Sequence, residues 1–191
     1  MNKLEFNGLL SEIATLATNT WSQEMTQLFP EKVIPHLHFE VCTAHHLTHS
    51  SKWPDTSEAK DGYGGWSWEG IFHKSKYSPD KFIIAVLSNG MFGGLFSGKL
   101  LATDVELQFV QRNIDCPSLK GFMIPASITY TAILGKVMSR EILSVCEPAP
   151  AIADRYENNM KGKISFIYDK NGEILRMSVP IDEVVSFPTT D

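Results

Sequence analysis

Apolar residues near the start of the chain recur mostly three to five positions apart: Leu9, Ile13, Leu16, Trp21, Met25 and Leu28. That spacing predicts an amphipathic helix, or a broken pair of helices, over residues 4–28, ended by Pro30. Residues 38–44 alternate loosely and read as a strand, whereas 45–65, rich in Ser, Thr, Asp, Gly and charge, reads as a long surface loop. The loop closes at Gly64-Gly65-Trp66-Ser67-Trp68-Glu69. There the Ser67 hydroxyl is placed to cap a short helix running to about Tyr77 and closed by Pro79.

The pattern then changes to a period of two. Strands at 82–87 and 93–99 flank Ser88-Asn89-Gly90, where Asn-Gly supplies the positive φ angles of a tight hairpin. Residues 103–111 alternate, setting Val105, Leu107 and Phe109 on one face and Asp104, Glu106 and Gln108 on the other. The first face goes to the core. The second borders a polar cleft, or is simply the solvated side of an antiparallel sheet. A helix follows over 125–138, carrying Ile128, Ala132, Ile133 and Val137 and stopping near Ser139. The run Ile142-Leu143-Ser144-Val145-Cys146 belongs to a strand over 141–146 that is covered on both sides. A helix over 150–159 and a hairpin, 164–168 with 173–179, complete the chain; Asp169-Lys170-Asn171-Gly172 makes the turn.

Length and composition narrow the classes. A chain of 191 residues with 43% hydrophobic and 20% charged residues suits one domain with a substantial core. A formal charge of −5 and a pI near 5.7 lack the basic footprint of a nucleic-acid binder. No apolar run approaches the length of a membrane span, and the N-terminus has no export-type apolar stretch, so a cytoplasmic protein without membrane partners is expected. Three scattered cysteines, Cys42, Cys116 and Cys146, fit a reducing compartment and no thiolate metal site.

Several residues carry chemistry that competes with a plain structural role. Five histidines lie between His36 and His49, with Glu40 and Cys42 nearby, and His45 and His49 would share a helical face; the spacing matches no compact zinc pattern, so no metal is expected. Trp66 and Trp68 either line a pocket or anchor the loop to the core, and packing is the commoner use. Cys146 as a hydrolase nucleophile would need an oriented base beside it. Gly121 either opens a phosphate-binding helix N-terminus or relieves a left-handed turn between strand and helix.

The order of elements from 81 to 177, with Gly121 ahead of one helix and Tyr156 inside the other, resembles the GNAT acyltransferase superfamily. The resemblance implies an α/β (α+β) fold in one domain. A mixed, mostly antiparallel sheet with flanking helices would contain a splayed parallel strand pair. Residues 1–80 would shape the acceptor side and 81–180 the cofactor-binding core. It implies acetyl-CoA as cosubstrate, lying in the splay with its pyrophosphate on the N-terminus of the following helix. Laid on the family loop Q/R-x-x-G-x-G/A, Ser118-Leu119-Lys120-Gly121-Phe122-Met123 keeps the first glycine, with Ser118 and Met123 at the departing positions. The cofactor-binding residues implied are Phe109, Val110, Gln111, Lys120, Gly121, Phe122 and Met123, with Lys120 able to meet a phosphate. Tyr156 would protonate the leaving thiolate, and Glu106 would take a proton from a primary amine of a small-molecule or protein acceptor. Two other readings stay open. One is a catalytically silent binding module that has lost its phosphate loop. The other is that the 45–65 insertion contacts a protein partner, with the enzyme fold as its scaffold. A homodimer is compatible with either.

Overall fold

A computed structural model of the chain describes residues 1–28, 33–54 and 65–184. Seven strands among these residues form one sheet in the order β1-β2-β3-β4-β5-β7-β6. They are β1 (Leu37–Val41), β2 (Lys81–Ser88), β3 (Met91–Leu100), β4 (Asp104–Arg112), β5 (Ile142–Cys146), β6 (Ser165–Tyr168) and β7 (Ile174–Pro180). Every neighbouring pair is antiparallel except β4 and β5. The helices are α1 (Lys3–Leu28), α2 (Ala44–Ser50), α3 (Trp68–Ser75), α4 (Met123–Val137), α5 (Ala153–Met160) and a short α6 (Ile181–Val184). No described helix is long and apolar enough to cross a membrane.

The N-terminal segment is one continuous helix rather than a broken pair. Its buried seam is Phe6, Leu10, Ile13, Ala14, Ala17, Trp21 and Met25, whereas Leu16, expected on the apolar face, is exposed. The buried seam runs through the small residues Ala14 and Ala17, and helix geometry then sets Leu16 on the outer side. Pro30 falls outside the described residues. Val137, at the last turn of α4, is likewise exposed instead of buried.

The long loop expected over 45–65 is partly a helix. Thr43, extended at φ −122°, precedes α2, and the His46 ring holds the turn by accepting the Thr43 N–H at Nδ1, 3.1 Å away. A histidine in the place usually taken by Glu or Gln hid this helix start from pattern reading. Residues 55–64 of the expected loop, including Gly64, lie outside the described residues. The Ser67 cap is present, its hydroxyl accepting the Gly70 N–H at 3.3 Å, and Asn89 and Gly90 turn the hairpin with φ of 51° and 79°.

The main core lies between the sheet and α1, α4 and α5, and a smaller cluster of Cys42, Trp68, Ile83, Ala85 and Leu95 lies on the opposite face with α2 and α3. One irregularity in β4 governs which residues look which way. Ser97 pairs with Phe109 and Gly98 with Leu107, so Gln108 is an extra residue in a β-bulge. The strict alternation expected for 103–111 therefore fails halfway. Val105 and Leu107 enter the main core, but Phe109 packs on the opposite cluster, and Val110 takes over the core side. Gly98 makes the bulge sterically feasible, because a Cβ there would run into the Glu106 carbonyl and the Phe82 ring.

Candidate functional site

The parallel pair β4–β5 is joined only from Asp104↔Ile142 to Leu107↔Val145. Beyond that point β4 continues to Arg112, while β5 stops at Cys146 and the chain turns away through Glu147 at φ 45°. No described strand pairs with this edge of β4 past Leu107, so main-chain groups there are available to another molecule. The gap holds a cavity of about 70 Å³. Leu107, Val110, Val145, Cys146, Ile152 and Tyr156 line it, with Gln108, the Glu147–Ala149 turn and Trp66. Tyr156 is buried on α5, and its ring faces this space.

The polar face of β4, β5 and β7 carries a connected charge network. Arg176 Nη2 donates to Asp104 Oδ2 at 2.9 Å and to Glu106 Oε2 at 3.3 Å, and Gln108 Nε2 donates to Glu106 Oε1 at 2.6 Å. Ser144 Oγ lies 3.5 Å from Asp104 Oδ2 and 3.0 Å from Ser178 Oγ. Glu106 is therefore engaged at both oxygens and does not itself line the cavity; Gln108 and Cys146 stand between. Burial, with the Glu106 hydrogen bond and charge behind it, pushes the Cys146 thiol up to about 12. A thiol so held stays protonated, which argues against Cys146 as a hydrolase nucleophile.

At the start of α4 the chain passes through Gly121 at φ 83°, an exposed position with open space around it. No side chain caps α4, so helix geometry leaves the amides of Met123 and Ile124 without intrahelical acceptors, while Pro125 has none to offer. The Met123 side chain is buried, in van der Waals range of the bare Gly94 backbone of β3, and does not enter the gap between β4 and β5. Gly121, Phe122 and Pro125 form one wall of a groove of about 470 Å³; Asn158 and Asn159 of α5 and Lys161 just past it, with Glu24 and Met25 of α1, form the others. Burial raises the Glu24 carboxyl, and the nearby Lys161 charge opposes that shift. Lys120 is exposed.

The residues expected to hold a cofactor thus divide. Val110 reaches the cavity, Gly121 and Phe122 reach the groove, and the Gln111 side chain faces the other side of the sheet, accepting the Trp68 indole N–H at 2.6 Å. Phe109 lies under Trp66, their rings 4.9 Å apart. The packing role holds for Trp68, which is buried. Trp66 instead lines both the cavity and a cleft of about 540 Å³ between α2 and α3. Pattern reading passed over Arg176, although Arg176 and Ser178 alternate with the buried Met177 and Val179 on β7, a period-two signal of a second polar face.

The histidine-rich segment has a structural use. His46 Nε2 lies 3.3 Å and His38 Nε2 3.5 Å from the Glu40 carboxylate, and the His45 and His49 rings pack at a tilt of 46° with centroids 4.4 Å apart. Among the described residues no group of His, Cys, Asp or Glu is arranged to hold a metal. Burial lowers the His46 pKa, Glu40 opposes the shift, and His45 and His49 reinforce it. The folded protein therefore binds a proton at His46 less readily than the unfolded chain, whose histidines titrate near 6.5. Its stabilising contribution is complete above about pH 6.5 and is lost as pH falls through the lower folded-state value. We expect the unfolding midpoint to drop between neutral and mildly acidic pH, and His46→Gln, which keeps a capping side chain that cannot titrate, to flatten that drop. An identical pH profile in the variant would assign the acid sensitivity elsewhere.

Comparison with known proteins gave no matching family model and no matching curated sequence. Solved structures do match. A protein of uncharacterized function from Bacillus halodurans aligns at TM-score 0.58 and 8% identity, over 78% of this chain and 86% of its own. A mutant of the spermidine N-acetyltransferase SpeG from Vibrio cholerae aligns at 0.54 and 11%, over 78% and 96%. The N-acetyltransferase PseH of Campylobacter jejuni aligns at 0.50 and 10%, over 75% and 97%. Identities this low speak to architecture alone. With the sheet order, the single parallel pair and its parting at Leu107 and Val145, they establish that this chain has the GNAT N-acetyltransferase fold.

Proposed function

We propose that the protein transfers an acetyl group from acetyl-CoA to a primary amine by direct attack. The observation that carries this reading is the gap between β4 and β5, with Tyr156 facing into it and the uncapped start of α4 on the same side of the sheet. In this reading the thioester lies along the free edge of β4, whose main-chain N–H groups polarise the carbonyl and hold the oxyanion of the tetrahedral intermediate. The amine nitrogen bonds to the carbonyl carbon, the C–S bond breaks, and the Tyr156 hydroxyl gives its proton to the departing thiolate. The proton lost by the amine passes toward Glu106, by way of water beside Gln108 and Cys146, and Arg176 keeps that carboxylate in place. Pyrophosphate would meet the amides at Met123 and Ile124 and the exposed Lys120.

The 70 Å³ space is smaller than the roughly 300 Å³ lower bound of ordinary ligand sites, so entry of the pantetheine arm widens it. Trp66 and the Glu147–Ala149 turn are the lining parts outside helices and strands, and they are the parts that move in this reading. Thermal unfolding with and without acetyl-CoA tests the proposal. A ligand at one hundred times its Kd stabilises the folded state by about 2.7 kcal/mol, which for a chain of this size raises the midpoint by roughly 5 to 10 °C. A midpoint unmoved by millimolar acetyl-CoA would remove the cofactor and favour the silent binding module.

A further inference from the structure

The cleft between α2 and α3 lies on the sheet face that carries Asp104, Glu106 and Gln108, and Trp66 belongs to both this cleft and the cavity at the parting strands. At about 540 Å³ it is within the usual range for a small-molecule site, unlike the narrow gap beside it. Its floor is firm, because the Trp68 indole is tied to Gln111 and α3 is capped by Ser67. Its chemistry is one-sided. Trp66 and Phe72 offer aromatic surface, Ser and Thr hydroxyls offer neutral hydrogen bonds, and among the described residues Glu69 is the one lining side chain of fixed charge, with no Lys or Arg beside it. The other titratable neighbour, His73, has Nε2 at 3.7 Å from Glu69 Oε1.

We infer that this cleft holds the acceptor and selects amines that carry a second positive charge, rejecting those that carry a carboxylate or phosphate. The inference rests on the transferase reading for the word acceptor, though the binding it describes does not require transfer. A second ammonium finds the Trp66 face and the Glu69 carboxylate, and both attractions act on the same group. An acceptor carboxylate placed there meets the like charge of Glu69, hydroxyls and an imidazole already turned to Glu69, and among the described residues no Lys or Arg to offset its lost hydration. The reacting amine at the other end of the molecule then points past Trp66 toward the edge of β4.

The test uses three probes of equal chain length: hexamethylenediamine, hexylamine and ε-aminocaproate. Each is titrated calorimetrically into the full chain without acetyl-CoA, at fixed ionic strength. The diamine is expected to bind at least about fivefold more tightly than ε-aminocaproate, with hexylamine between. Glu69→Gln, a change at an exposed side chain, should leave the unfolding midpoint in place and erase most of the gap; Trp66→Leu should weaken the diamine and hexylamine. Equal affinities for the three probes, or a gap that survives in Glu69→Gln, would overturn the inference. Diamine binding without acetyl transfer would leave it standing and remove the transferase reading, whereas transfer indifferent to Glu69 would do the reverse.

Discussion

Replacing Gly98 by alanine is expected to lower the unfolding midpoint by more than any other single-methyl addition in the sheet. The added carbon would overlap the main-chain carbonyl of Glu106 and the edge of the Phe82 ring. A flexible side chain could step aside, but Glu106 is pinned within β4 by its pairing to Lys99 on β3, and on the other edge to Ser144. Small-to-large changes in well-packed interiors cost about 1–3 kcal/mol, and with backbone as the obstacle we expect at least the upper figure. For a domain of this size that is a fall of roughly 6 to 12 °C. The change also threatens the bulge itself. If β4 escaped the clash by sliding into regular register, Phe109 and Gln111 would exchange faces with Val110, detaching Trp68 and closing the gap from one side. Calorimetry of the variant measures the first effect and acetyl-CoA binding the second. A midpoint within about 2 °C of the parent would show that the bulge tolerates a side chain.

Tyr156→Phe is expected to lower turnover by about a hundredfold while leaving the acetyl-CoA-induced rise in midpoint nearly intact. The phenyl ring keeps its place among Leu107, Val145 and Ile152, so the cavity wall is preserved while the hydroxyl is removed. Because a thiolate is a tolerable leaving group, transfer would not stop altogether. The split between unchanged binding and reduced kcat separates a proton donor from a packing residue, which would disturb both or neither. Turnover within about threefold of the parent would take Tyr156 out of the mechanism.

The element order from β2 to β7 was legible because each piece has its own local period and its own punctuation. Asn89-Gly90 and Asp169-Lys170-Asn171-Gly172 mark turns, and the apolar run through Val145 marks a covered strand. The seam of α1 was harder to read, since it includes buried alanines, Ala14 and Ala17, that a search for large apolar residues passes over. Helix α2 was missed because its first turn is held by an imidazole in place of a carboxylate or amide. The candidate site was legible only in outline. Tyr156 and Val110 do meet at one cavity, but nothing local marks Arg176, which is 70 residues from Glu106 and 72 from Asp104, as the group that ties down both acids.

By itself, then, the amino-acid sequence determined most of the strands, the longer helices and where most of the turns fall, since these follow from periodicity and backbone preference within a few neighbouring residues. The tertiary structure alone decided which face each side chain of β4 presents from Gln108 onward. One extra residue inverts the alternation, and whether that residue is accommodated depends on Gly98 in another strand. It also decided that β4 and β5 part company after four paired residues and that Trp66 stands between two cavities. These are outcomes of pairing between distant segments, and a pattern read along one segment carries no record of its partner.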